Sequence, residues 1–447
     1  MDLTEITIDN YRGFKKESFE LSKITLLLGP NSSGKTSVLS ALLSSLQSDQ
    51  FPSYFSPNGK FVESGDFREI VSSHDTKRQI SITLKLNDQR DRGQVVISGT
   101  YGMDALTSMP SLLHANYGSG PVTWTLKKSG ENYSIRAAFS HDKNIYSKAR
   151  EKNDGLKVFY SALEDLVTSV KKADPEGKRT DSAQTIRGNI AHRKANLSNI
   201  FSSNSGNFDD VIALKHSETC IKDFSRKFCY IGSYRFPPQR TYYHSVGSDL
   251  RVGTAGQNTI EQILSWENAS NPNIKSLAAA MKKLGLASSI VTHKLTGGRF
   301  EVRIRAAGST VSSSLSDVGF GVNQFLPILV AEIQLGKGST IAISQPETHL
   351  HPKVQAEIAS HMAEKVKSED FKYIVETHSE YLINRLRRLI RKGDLLPGDV
   401  NAYYIEPTSS GKKVSRVTFE KTGVISGAPR GFFDTYQMDV MNIALER

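Results

Sequence analysis

Gly29-Pro30-Asn31-Ser32-Ser33-Gly34-Lys35-Thr36 is the stretch on which the reading of this chain turns. It fits G-x-x-x-x-G-K-[ST], a loop whose backbone N–H groups face phosphate oxygens. Just before it, Ile24-Thr25-Leu26-Leu27-Leu28 is a short apolar run ending at Gly-Pro, the pattern of a buried parallel strand. Just after it, Leu39, Leu42, Leu43 and Leu46 recur at helical spacing. Strand, loop and helix in this order set a helix N-terminus against the phosphates, which holds concentrated negative charge without a salt bridge for each oxygen. Lys35 is expected to reach the β- and γ-phosphates and the Thr36 hydroxyl to bind Mg²⁺. Asn31, Ser32, Ser33, Gly34 and Ser37 make up the rest of the cradle. A chance Gly/Ser turn carrying a lysine would lack the flanking strand and helix. The expectation is a site for ATP and Mg²⁺.

At 447 residues the chain is long enough for two or three lobes with substantial cores. Apolar content of 38% and charged content of 23% describe an ordinary soluble protein, and no apolar run approaches a membrane span. Met1-Asp2-Leu3-Thr4-Glu5 does not read as a signal peptide. Two cysteines, Cys220 and Cys229, can build neither a disulfide framework nor a four-cysteine zinc site. A cytoplasmic location, without membrane contact, is therefore expected. The net charge of +11 permits contact with nucleic-acid phosphates but equally describes a solvated basic surface.

Taken in order, residues 3–9 alternate as a first strand and a second runs through Phe19 and Leu21. Residues 79–101 and 121–139 read as antiparallel strands, with Ile80, Ile82, Leu84 and Leu86 alternating, then Val122, Trp124 and Leu126. Residues 145–172 have helical periodicity around Leu156, Phe159, Leu163 and Leu166, and more follows near 187–201 and 208–228. Three divisions are expected: 1–140 with the phosphate loop and an antiparallel annex, a helical insertion at 141–227, and a second lobe at 228–447. The near-balance of charge in the insertion suits a packing or partner-binding face better than a DNA-gripping arm.

Four further stretches bear on the loop. Thr340-Ile341-Ala342-Ile343 is an apolar strand leading into Ser344-Gln345-Pro346-Glu347-Thr348-His349-Leu350-His351-Pro352. Phe371-Lys372-Tyr373-Ile374-Val375 is another, ending in Glu376-Thr377-His378-Ser379. Ser316-Asp317-Val318-Gly319-Phe320-Gly321 opens an apolar helix, and Ala428-Pro429-Arg430-Gly431-Phe432-Phe433-Asp434 lies further on.

This order resembles the SMC/RecF-like branch of ABC-type ATPases, including the ATPase domains of OLD-type nucleases, over nearly the whole chain apart from 141–227. It looks most like the ATPase subunits of anti-phage systems such as Septu, with PARIS second. The fold implied is α/β, an ABC-type P-loop ATPase head with an antiparallel β annex and a helical insertion. By this resemblance residues 29–36 are the Walker A loop. Ser316, Gly319 and Gly321 stand for the signature that contacts the γ-phosphate held by the opposite protomer, where glycine lets the backbone approach closely. His378 matches the switch histidine that senses the γ-phosphate. Sites of this type are completed in trans, which implies a head-to-tail dimer or larger homo-oligomer.

One departure matters. Two consecutive acids commonly end the Walker B strand, and here those positions hold Ser344 and Gln345. Gln345 can orient water but is a poor general base, and Ser344 is a weak magnesium partner. Glu347 is the nearest carboxylate and the expected hydrolytic acid, with Glu376 as second candidate. Firm ATP binding with slow hydrolysis is expected.

His349, His351 and His378 lack a nearby cysteine to complete a zinc shell, and His378-Ser379 lacks a nucleophile elbow. Residues 382–392 form an amphipathic basic helix whose apolar side should pack on a sheet, while Arg235, Arg240 and the Pro237-Pro238 turn are candidates for ordering a site edge. After His378 no D-x-D pair occurs, so a nuclease served by this chain is expected on another chain, with an HNH type favoured. Two rivals stand beside a defence ATPase that gates such an effector: a RecF-like repair ATPase that contacts DNA directly, and a non-hydrolysing nucleotide-gated scaffold.

Overall fold

The computed structural model describes residues 1–48, 50–88, 93–119, 122–129, 132–139, 184–188, 218–243, 251–306, 308–409, 411–429 and 445. The chain divides into two compact units, Met1–Glu20 with Ser37–Arg226 and Leu21–Thr36 with Lys227–Arg447.

In the first unit, β1 (Asp2–Asp9) and β2 (Lys16–Glu20) join β4 (Ile80–Asn87), β5 (Gln94–Met103), β6 (Pro110–Ser119), β7 (Val122–Ser129), β8 (Asn132–Phe139) and β9 (Gln184–Gly188). They form an antiparallel sheet in the order β2-β1-β4-β5-β6-β7-β8-β9. The period-two pattern sets its faces: Ile80, Ile82, Leu84 and Leu86 are buried while Ser81, Thr83 and Lys85 are only partly so. This is the antiparallel annex the alternation implied. Helix α1 (Lys35–Leu46) starts in the second unit with Lys35 and Thr36 and continues in the first. Its leucines are buried as their spacing requires, and so are Ser40, Ser44 and Ser45. Ser40 shares hydrogen bonds with Tyr11 (2.9 Å) and Ser64 (2.8 Å), which makes its burial affordable.

The second unit centres on a sheet of β3 (Ile24–Leu28), β10 (Phe228–Ile231), β15 (Thr340–Ser344), β16 (Lys372–Glu376), β17 (Val400–Thr408), β18 (Gly411–Phe419) and β19 (Ile425–Ser426). Its order is β10-β15-β16-β3-β17-β18-β19, with the first five parallel and the last two antiparallel. Every residue of β3 and β15 is buried, as continuous apolar runs in a sheet covered on both faces must be. A smaller sheet holds β11 (Tyr242–Tyr243), β12 (Ser289–Lys294), β13 (Arg299–Arg305) and β14 (Ser312–Ser314).

Among the helices, α2 (Phe67–Ile70) lies in the first unit and the others in the second: α3 (Thr259–Asn268), α4 (Asn273–Lys283), α5 (Phe320–Leu335), α6 (Pro352–Glu369) and α7 (Glu380–Lys392). Helix α5 is buried from Val322 to Glu332. Helix α7 buries Leu382, Ile383, Leu386 and Ile390 and leaves most of its basic residues partly or fully exposed, as its amphipathic sequence implies. Its ends are set locally, by Ser379 accepting from the Leu382 N–H and by Gly393 in the left-handed region.

Two expectations change. Residues 21–36, grouped by sequence with a lobe at 1–140, belong to the second unit, because β3 hydrogen-bonds between β16 and β17 from the far end of the chain. Within the expected helical insertion at 141–227, the periodic stretch 145–172 lies outside the described residues. Residues 187–188, placed in a second helical stretch, belong to strand β9, since pairing with β8 overrides local periodicity. Residues 218–226 are helical. The 428–434 stretch is described only as far as Pro429.

Candidate functional site

The loop after β3 is shaped by its glycines. Gly29 has φ +136°, and a Cβ there would collide with the carbonyl oxygen of Ile405 on β17; Gly34 has φ +110°. Lys35, at the start of α1, is buried and donates from Nζ to the carbonyl oxygens of Gly29 (3.0 Å) and Pro30 (2.8 Å). Burial lowers the pKa of its ammonium, and the carboxylates of Glu376 and Glu347 oppose that shift. The Ser33 hydroxyl is fully enclosed and, among the described residues, has no hydrogen-bond partner. A buried orphan hydroxyl beside a lysine held only by carbonyls is a cradle fitted to phosphate oxygens. Asn31, Ser32 and Thr36 are exposed at the same loop, and Ser37, the next residue, is buried. Lys412, on β18, donates to the Ser32 carbonyl at 2.9 Å. No local sequence signal points to Lys412, because it reaches the loop only through the β17–β18 hairpin.

The acids arrive from the neighbouring strands. Strand β16 lies between β15 and β3, pairing Glu376 with Ser344 on one side and with Leu27 on the other. The Thr36 hydroxyl donates to the Glu376 carboxylate, with Oγ1 2.9 Å from Oε1 and 3.0 Å from Oε2. Ser344 Oγ donates to Oε2 at 3.1 Å and lies 3.3 Å from the Tyr230 hydroxyl. The carboxylate beside Thr36 is therefore Glu376. Glu347, ranked ahead of it by proximity in sequence, contacts the His378 N–H rather than Thr36.

Glu347 accepts the His378 N–H at 2.7 Å through Oε1, and its carboxylate is otherwise enclosed. Burial pushes its carboxyl pKa up, and the His378 N–H and Arg235 pull it back. It sits in a tight loop where Gln345 and His349 both have positive φ, and the Gln345 N–H donates to the Glu376 carbonyl at 2.7 Å. His378 is exposed, and burial of part of its ring, with Lys35 second, lowers its pKa. Arg235 is buried behind this cluster, donating to the carbonyls of Ser344 (2.8 Å) and Gln324 (3.2 Å). Burial lowers the guanidinium pKa, and Glu347 opposes the shift.

The remaining expected residues lie at the start of α5. Ser316 is in a short 3-10 turn, Gly319 is the N-cap and Gly321 lies in the first turn. Arg240 grips Asp317 with both terminal nitrogens, at 2.6 and 3.2 Å. A Cβ on Gly319 would meet nothing within 4 Å, so its surface is open. A Cβ on Gly321 would meet Leu350 at 2.7 Å and the His349 carbonyl at 2.8 Å. Gly321 is thus accounted for by packing within the chain. Among the described residues no hydrogen bond joins Ser316 or Gly319 to the 29–36 loop. One half of the expected site converges around Lys35 and Thr36, and the other half stands apart.

A family model described as AAA ATPase domain matches residues 1–383. Comparison with curated protein sequences gives no match. Among solved structures, the chain is similar to an Smc head bound to the C-winged helix domain of ScpA, with 11% identity, 94% of this chain and 99% of that chain covered, and a TM-score of 0.47. The SMC head domain from Thermotoga maritima matches at 12% identity, with 93% and 98% covered and a TM-score of 0.38. An Smc head domain with an extended coiled coil, bound to the C-terminal domain of ScpA and derived from Pyrococcus furiosus, matches at 12% identity, with 100% and 99% covered and a TM-score of 0.43.

Proposed function

The chain belongs to the AAA ATPase domain family, and from that premise we propose that it binds ATP with Mg²⁺ at the 29–36 loop, turns it over slowly, and completes each site with a second copy. It is a P-loop ATPase with an ABC-type α/β head. The observation that carries the site is the cradle itself: an enclosed, partnerless Ser33 hydroxyl beside a buried Lys35 held by two carbonyls.

In the proposed reaction Lys35 leaves the Gly29 and Pro30 carbonyls for the terminal phosphate oxygens. Loop and helix N–H groups hold the remaining charge without rearrangement. Mg²⁺, when bound, neutralises charge on the β- and γ-phosphates and lowers the cost of its separation. Glu347 takes a proton from the attacking water, helped by burial, which raises its carboxyl pKa. Gln345 orients that water, and His378 reports on the γ-phosphate from the end of β16. Ser316 and Gly319, which among the described residues make no hydrogen bond to their own loop, face the nucleotide of the other protomer. Among the described residues no helix is long and apolar enough to cross a membrane.

The assembled form is proposed to be a platform for a separate effector nuclease, HNH type favoured, in anti-phage defence; the order of motifs supports this reading. Sedimentation with and without ATP and Mg²⁺ tests the assembly. The expected result is nucleotide-dependent association in the parent and none in Lys35→Ala. Association indifferent to nucleotide would count against it.

A second reading, direct DNA contact as in a repair ATPase, has its own observation. Ser81, Thr100, His114, Lys127 and Lys128 line an open concavity on the first unit's sheet, polar and cationic. Duplex binding that weakens steeply with salt, and weakens further in Lys127→Ala/Lys128→Ala, would favour it.

A further inference from the structure

We propose that Glu376 is the metal-holding carboxylate of this site, moved one strand across the sheet from the position where ABC-type sites carry theirs, and that Ser344 is its prop. The proposal rests on the nucleotide-binding reading above and adds a ligand to it.

Geometry carries the argument. The usual acid ends β15, where this chain has Ser344. Its register partner on β16 is Glu376, and β16 is the strand hydrogen-bonded to β3, which runs into the phosphate loop. The shift therefore brings a carboxylate one strand nearer the loop, and Glu376 meets the Thr36 hydroxyl with both oxygens. Glu376 is 5% exposed, and its hydrogen-bonding neighbours are hydroxyls, Thr36 and Ser344. Among the described residues it has no salt bridge, since the nearby Lys35 ammonium is held by the Gly29 and Pro30 carbonyls. A buried carboxylate with hydroxyl donors but no paired cation is a site that a cation would complete. Mg²⁺ suits it, because that ion keeps several waters and needs one or two protein carboxylates beside the substrate phosphates.

The same contacts explain the serine. A carboxylate at 344 would stand against Glu376 where Ser344 Oγ now donates at 3.1 Å, and two like charges there would repel. Serine instead fixes the carboxylate by a hydrogen bond. It is itself held by the Tyr230 hydroxyl and, through its carbonyl, by Arg235. Ser344 and Glu376 are thus a transposed pair, with the acid and its small polar neighbour exchanged between adjacent strands.

The test measures the affinity of a fluorescent ATP analogue in excess Mg²⁺ and in EDTA, so that the metal's contribution is read without turnover. The parent should bind more tightly with Mg²⁺. Glu376→Gln should keep the EDTA affinity and lose about tenfold or more of the Mg²⁺ gain, the usual scale for disturbing a metal's protein environment. Ser344→Asp/Glu376→Ser, which returns the acid to β15, should recover most of that gain. Should Glu376→Gln fail to fold, Glu376→Asp replaces it, with a reduced Mg²⁺ gain expected from the shorter side chain. A full Mg²⁺ gain in Glu376→Gln, or in Glu376→Asp where that stands in, overturns the proposal. So does a swap variant that binds in EDTA yet gains nothing from Mg²⁺. A folded parent that binds no nucleotide under either condition overturns the nucleotide reading itself, a different outcome from the first two.

Discussion

Ser344 and Glu376 face one another across the β15–β16 ladder, with the serine hydroxyl donating to the glutamate carboxylate over 3.1 Å. That contact, joined to the Thr36 hydroxyl on the other side of the same carboxylate, decides which acid stands beside the phosphate loop. It also separates two roles that proximity in sequence would merge. Glu376 meets the loop, and Glu347 is left to the His378 backbone.

Lys35→Ala should weaken ATP binding by about ten- to a hundredfold or more. Lys35 is the cradle's buried cation, and a charged hydrogen bond is worth about 1.5–3 kcal/mol. Equilibrium binding of labelled ATP to a variant with native circular dichroism checks this. Undiminished affinity would remove the loop from the nucleotide site.

Completion in trans should appear as rescue. A Lys35→Ala subunit mixed with a Gly319→Asp subunit forms some sites with both halves intact, and part of the lost ATP-dependent activity should return. Gly319 is the position to use, because a side chain there enters open space. Gly321→Asp would strike the His349 carbonyl and disturb its own chain. No recovery despite demonstrated co-assembly would mean that one chain builds the whole site.

Glu347→Gln should slow single-turnover hydrolysis by about 10²-fold or more while ATP binding persists, as for loss of general-base help. Gln345→Ala should do less. Because burial raises the Glu347 carboxyl above its ordinary 4.5, the parent's rate should fall on acidification through a value higher than that. In Glu347→Gln that limb should vanish. Stability gives a second check with a definite sign. A carboxyl whose folded pKa is raised favours the fold where it is protonated and costs stability as pH rises through the raised value. Glu347→Gln should therefore gain melting temperature relative to the parent at pH 8, and the gain should shrink toward pH 4. An unchanged rate together with an unchanged difference in melting temperature would assign Glu347 a purely structural place in its loop.

Glu332, buried on α5, accepts from the Tyr373 hydroxyl on β16 at 2.9 Å and lies 2.6 Å from His361 Nε2 on α6. Tyr373→Phe removes one donor and should cost about 1–3 kcal/mol, the penalty for a buried polar atom left unsatisfied. His361→Ala likewise leaves a Glu332 oxygen without its partner and should also cost about 1–3 kcal/mol. Urea unfolding of the two variants measures both. Equal, negligible losses would show that the triad contributes little to the stability of the fold.

Contiguous residues were enough to point to the phosphate loop, since eight positions and their two flanks carry its pattern, with Gly29, Gly34, Lys35 and Thr36 at the fixed places. The same holds for β4, whose period-two alternation sets its faces, and for α7, whose spacing, Ser379 cap and Gly393 stop are all local. Sheet order is a different kind of fact. Thr36 and Glu376 meet across 340 positions of sequence because β16 pairs beside β3, and nothing within either segment records that neighbour. Nearness along the chain points to Glu347, while nearness in space sets Glu376 beside Thr36. Gly321 reads in sequence only as one of three signature residues, while the fold also packs the His349 carbonyl against it, and Lys412 has no local motif at all. Backbone propensity and side-chain periodicity act over a few residues and are written in the chain. Which strand ends become neighbours depends on how the apolar faces of distant segments are buried together, and that only the tertiary structure decided.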